Sequence, residues 1–168
     1  MLKTRIENFP QKPKKATGIL VLEDGSVFWG KGFGKTGVST GELVFNTAIS
    51  GYQEIISDPS YASQIITFTF PHIGNVGVNP DDVESSRPHA VGCITRMDIS
   101  EPSNWRSVDK FQNWIKTNNL TGISCIDTRQ VTSHLRDNGA QNATISFNPN
   151  GEFDVGKLLS KSQNWPGL

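Results

Sequence analysis

Apolar residues in the first half of the chain come in short runs separated by turn residues, a rhythm that predicts strands. Gly18-Ile19-Leu20-Val21-Leu22 is one such run, and Val27-Phe28-Trp29 is the next. Between them Glu23-Asp24-Gly25-Ser26 carries an Asp-Gly pair, which tolerates the positive φ that a tight hairpin needs. Glycines at 30, 32, 34, 37 and 41 then predict turns or bulges. Leu43 to Thr47 reads as another strand. Gln64 to Phe70 alternates Ile or Phe with Thr, the period of two of a half-buried strand, and Pro71 ends it. The second half changes period. Val108, Phe111, Trp114 and Ile115 recur at helical spacing over 107–117, with Ser107 as a helix cap. Gly122 to Ile126 predicts a short buried strand. Asp127 then caps a helix that carries Val131 and Leu135 on its apolar stripe and stops at Asn138-Gly139. Ala143 to Phe147 reads as a last strand, and Val155, Leu158 and Leu159 as a last short helix. The sum is an α/β domain with a mixed, layered β/β/α arrangement: a strand-rich first half and a strand-helix-strand second half.

Composition adds a size and a charge. The 168 residues suit one domain with room for an ordinary core. Sixteen basic and sixteen acidic side chains cancel. The cancellation is uneven. Lys3, Arg5, Lys12, Lys14 and Lys15 against Glu7 make residues 1–16 a basic, proline-punctuated segment of net charge +4, which leaves −4 for 17–168. Residues 1–16 are therefore expected to form a flexible basic arm and 17–168 the packed domain. A mildly acidic body does not offer the broad basic face that grips nucleic acid. No apolar run reaches the roughly 20 residues that cross a bilayer, so no membrane partner is expected. The start has no apolar signal core, and two cysteines make no disulfide framework, so a cytoplasmic location follows as the expectation.

Candidate chemistry is sparse. Gly32-Phe33-Gly34-Lys35-Thr36-Gly37 fits the G-x-G-x-x-G spacing, but a dinucleotide site also needs a helix opening right after it, and Val38-Ser39-Thr40 reads as strand. A glycine-rich turn between strands is the better reading. His72, His89 and His134 lack metal-ligand spacing to one another or to a cysteine. His72, in a loop of small residues, fits a hydrogen-bonded structural role better than a catalytic one. Cys93 and Cys125 sit inside apolar strand patterns and are expected to be buried and unreactive. Asp58-Pro59-Ser60-Tyr61 is a turn signature. The Ser60 hydroxyl can bond its own backbone locally or reach a ligand, and no nucleophile elbow surrounds it. No complete catalytic set is visible.

The run Phe45-Asn46-Thr47-Ala48-Ile49-Ser50-Gly51-Tyr52-Gln53-Glu54-Ile55-Ile56-Ser57-Asp58-Pro59-Ser60-Tyr61 resembles the amino-terminal domain of the small chain of glutamine-hydrolysing carbamoyl-phosphate synthetases. The likeness continues at Gln64-Ile65 and Phe70 to Gly77, and returns at Glu84-Ser85-Ser86, Ile126 to Arg129 and Gly139 to Asn142. It covers roughly 17–168, and its long ordered blocks are far more specific than the glycine motif. In that family a glutamine amidotransferase domain follows and carries the nucleophilic cysteine. Neither Cys93 nor Cys125 matches it, so the resemblance implies a domain that is not itself catalytic. It also implies partners: glutamine, the amidotransferase domain and the large synthetase subunit. No cofactor is implied in this domain, since ATP and magnesium serve the large subunit. Ser60 matches a family serine that reaches the glutamine pocket, so its implied role is to orient glutamine. The alternative is a free-standing interaction or small-molecule-binding module of the same fold.

Overall fold

The computed structural model of the chain describes residues 9–70, 88–96 and 111–168. Its organising element is β1 (Gly18–Leu22), which is buried along its whole length. Such an unbroken apolar run needs cover on both faces. Even-numbered Leu20 and Leu22 join one core cluster, and odd-numbered Ile19 and Val21 join another. The expected hairpin joins β1 to β2 (Val27–Gly34), with Gly25 at φ +94° in the turn. β3 (Gly37–Asn46) follows directly. The short helix α1 (Tyr52–Ser57) and a 3-10 turn at Pro59–Tyr61 lead into β4 (Gln64–Phe68). Then come β5 (Gly92–Ile94), α2 (Phe111–Thr117), β6 (Thr121–Ser124), α3 (Thr128–Asn138), β7 (Gln141–Phe147) and α4 (Val155–Asn164).

The mixed α/β composition is as the sequence implies, and β6, α3 and β7 supply the strand-helix-strand unit. The layered description is replaced by a closed seven-stranded barrel in the order β1-β2-β6-β5-β4-β3-β7. β7 closes it by pairing antiparallel with β1 on one side and β3 on the other. The strands from β3 through β4 and β5 to β6 run parallel. Closure removes the sheet edges that a layered fold would have to protect.

The glycines are the physical reason closure is possible. Gly30 and Gly32 lie inside β2, not in a turn, and face the barrel interior. A Cβ on Gly32 would overlap the Phe147 ring, and one on Gly30 would overlap the Ser124 carbonyl. The interior they leave is filled by Leu20, Leu22, Leu43, Ile65, Ile123 and Ile145. Outside, α1 and α2 cover Phe33, Ile66, Phe68 and Cys93, with Tyr52 edge-on to Phe68 and Phe111 at ring-centre distances of 5.9 and 6.2 Å. α4 covers Ile19, Val21 and Val27 through Leu158 and Leu159.

Residues 1–8 of the basic segment lie outside the described residues. Residues 9–16 run along the barrel: Phe9 packs beside Trp29, whose Nε1–H donates to the Pro10 carbonyl at 2.9 Å. The expected strand over 64–70 ends at Phe68, and Pro71 is outside the described residues, as are 107–110 of the expected helix.

Candidate functional site

Ser60 sits at the middle of the 3-10 turn and is exposed. Pro59 starts that turn, and Asp58 caps it by accepting from the Ser60 backbone N–H at 2.9 Å. The Ser60 backbone and hydroxyl bonds hold the Asp58 carboxyl below its ordinary range, and His89 adds a smaller favourable charge. The turn is tethered to the barrel: Asn46 Nδ2 donates to the Tyr61 hydroxyl at 2.9 Å, and Asn46 Oδ1 accepts from Ala48 N–H at 2.8 Å. Ser60 is thus presented to solvent on a turn whose backbone is fixed, with its hydroxyl beside a carboxylate. Such an arrangement can position a polar ligand, and the carboxylate bonded to the hydroxyl, Asp58, is held below its ordinary range, which makes it a poor base for activating the serine.

A second concave feature lies at the barrel end where the parallel strands finish. α3 crosses that end. Its Val131 and Leu135 pack into the interior cluster, and His134 Nε2 meets Asp24 Oδ2 of the β1–β2 turn at 2.6 Å. Thr47 follows β3, Thr69 follows β4 and Arg96 follows β5; together with Thr128, Arg129 and Arg136 of α3 they line a groove of about 440 Å³. The helix cap is the expected one, with Asp127 Oδ1 accepting from Gln130 N–H at 3.1 Å. None of the described lining residues is acidic. Sequence reading missed this groove. The seven-residue spacing of Arg129 and Arg136 already places them on one helix face. Arg96 joins them only through the barrel.

The remaining candidates separate cleanly. Gly32 and Gly34 line a smaller cleft with Phe33 and Lys116, but the chain runs from Gly37 straight into β3, so the glycines do not open a helix as a dinucleotide site requires. Cys93 is buried as expected, and burial pushes its thiol up to about 12. Cys125 is a correction: it is exposed, because the chain leaves β6 at Ser124 and turns through φ +62° at Cys125. His72 lies outside the described residues. His89 donates its backbone N–H to the Ile56 carbonyl at 3.2 Å. Among the described residues no group of three or more His, Cys, Asp or Glu side chains could hold a metal ion. None of the described helices is long and apolar enough to cross a membrane.

Comparison with known proteins assigns the chain. Residues 20–145 match the model of the carbamoyl-phosphate synthase small chain, CPSase domain. The carbamoyl phosphate synthase small chain of Zymomonas mobilis subsp. mobilis is 52% identical over 149 residues, covering 89% of this chain and 40% of that protein. The carbamoyl phosphate synthase small chain of Brucella canis is 48% identical over 172 residues, covering 100% of this chain and 42% of that protein. The chain therefore spans about two fifths of the length of the relatives it matches. The matched stretch begins inside β1 and ends inside β7, the two strands that close the barrel, so the chain belongs to the carbamoyl-phosphate synthase small chain family through its barrel domain.

Proposed function

We propose that this chain serves as the amino-terminal domain of the small subunit of a cytoplasmic, glutamine-hydrolysing carbamoyl-phosphate synthetase, a ligase. The observation that carries the reading is the family match across 20–145 in a chain that spans two fifths of its relatives. In this reading the domain docks the amidotransferase domain and the large subunit and is not itself catalytic. Glutamine is hydrolysed on the amidotransferase domain. The ammonia is used on the large subunit with bicarbonate, ATP and magnesium. The lowered carboxyl of Asp58 beside Ser60, a poor base, and the burial of Cys93 accord with a non-catalytic role for this part.

Ser60 contributes a hydroxyl to the glutamine pocket from across the domain boundary. The capped turn holds that hydroxyl at a fixed place, which favours orientation of the substrate over attack on it. Ser60→Ala is tested in the small subunit that carries both domains. Loss of one hydrogen bond to bound glutamine raises its KM by up to about tenfold, since one such bond contributes roughly 0.5–1.5 kcal/mol. Unchanged KM and kcat remove Ser60 from the pocket. The purified 168-residue chain incubated with glutamine releases no glutamate; turnover abolished by a cysteine substitution overturns the non-catalytic assignment.

A further inference from the structure

The groove at the carboxyl ends of the parallel strands is the least explained feature of the molecule. Arg96, Arg129 and Arg136 are all exposed there, and among the described residues none of them has an ion-pair or hydrogen-bond partner. Three like charges gathered at one mouth repel one another, and among the described residues the groove supplies no carboxylate to offset them. They also stand out against their background, because residues 17–168 carry a net charge of −4. A guanidinium pairs carboxylates in a bidentate fork, and the Thr47 hydroxyl on the same groove offers a further donor.

We propose that this groove is a docking site for an acidic protein segment that presents at least two carboxylates. The spacing of the arginines favours a segment over a small anion. Arg129 and Arg136 are seven residues apart on α3, which separates them by about 10.5 Å along the helix axis. With both side chains extended, two carboxylates on one peptide can pair one with each arginine across that span. Exposed apolar side chains adjoin the site in the chain: Phe45 is 39% exposed and Ile49 68%, one on either side of Thr47. Arginine next to exposed aromatic and aliphatic surface is the composition of a protein interface. The inference rests on the groove itself and is independent of the role assigned to Ser60.

The test titrates fluorescein-labelled hexaglutamate with the 168-residue chain and follows anisotropy at 50 and 300 mM salt. Saturable binding that weakens with salt is the expected result. The double substitution Arg129→Glu with Arg136→Glu weakens it at least tenfold. Lys14→Glu with Lys15→Glu, the same charge change elsewhere on the molecule, alters it less than twofold. Thermal melts of both variants match the parent, because all four side chains are exposed. Equal losses in the two double variants, displacement of the peptide by inorganic phosphate at micromolar concentration, or no saturable binding overturns the proposal.

Discussion

Asp24 shows how one side chain can serve two elements at once. Its Oδ1 accepts from the Ser26 backbone N–H at 2.9 Å and shapes the hairpin turn, while its Oδ2 meets His134 and anchors α3 across the barrel end. Partial burial pushes the Asp24 carboxyl up, but the Ser26 bonds, the His134 bond and the His134 charge outweigh it, and the net displacement is below the ordinary value. A depressed folded-state pKa stabilises the fold above the unfolded value of about 3.9, and that contribution is lost as pH falls through the folded value. Asp24→Asn keeps an acceptor for Ser26 and removes the charge. It is expected to cost roughly 0.5–1 kcal/mol at pH 5, the scale of a partly exposed ion pair. Urea melts of parent and variant between pH 6 and pH 2 should show a constant gap down to about pH 4, which then closes. A gap that stays constant to pH 2 means that the Asp24 charge does not stabilise the fold. The turn was legible in the Asp-Gly pair, but the His134 partner was not: it lies 110 residues away, and only the closed barrel brings the two together.

At the scale of the element, β2 is where sequence and structure part most clearly. A strand ending at Trp29 and a run of glycine turns is the natural reading of Gly30, Gly32 and Gly34, because glycine weakens a strand that has one face in solvent. Inside a closed barrel the same residue is required by space, since the Phe147 ring and the Ser124 carbonyl occupy the places where Cβ atoms on Gly32 and Gly30 would lie. Nothing local in the sequence separates these two uses. Gly32→Ala is expected to cost about 1–3 kcal/mol through overpacking against Phe147. The cost should fall by at least about 1 kcal/mol in a Phe147→Ala background, as residues in direct contact are energetically coupled. A double-mutant cycle by chemical denaturation measures this, and additive losses would place the strain elsewhere. Helical elements were easier to read. Asp127 before α3 and the apolar stripe of Val131 and Leu135 are local signals, and the structure keeps both. The candidate site followed the same rule. The Asp58-Pro59-Ser60-Tyr61 turn was legible because it is contiguous, whereas the arginine groove draws its lining from the segments after β3, β4 and β5 and from α3 and has no contiguous signature.

At the scale of the whole molecule, the barrel is closed by its most distant parts. β1 pairs with β7 in register, Leu20 opposite Ile145, so the seam joins residues 125 positions apart in the chain. Such long-range pairing carries a large loop-closure cost and gains from cover outside the seam. α4 provides it. Leu158 and Leu159 pack on the outer face of β1, and Ser162 of the same helix is fully buried over the seam itself. Its Oγ lies 2.8 Å from the Val21 carbonyl oxygen, to which it donates, and 2.8 Å from Thr144 Oγ1. Thr144 in turn meets Thr40 Oγ1 at 3.0 Å, so a chain of hydroxyls links α4, β7 and β3 while also tying α4 to β1. Ser162→Ala deletes the central member and leaves buried partners unsatisfied, at an expected cost of about 1–3 kcal/mol. Ser160→Ala, on the exposed face of the same helix, should change stability by less than about 0.5 kcal/mol. In urea, the first variant should lower the midpoint with an unchanged slope, because the same surface is still exposed on unfolding. Equal midpoints for the two variants would show that α4 holds the seam through its leucines alone.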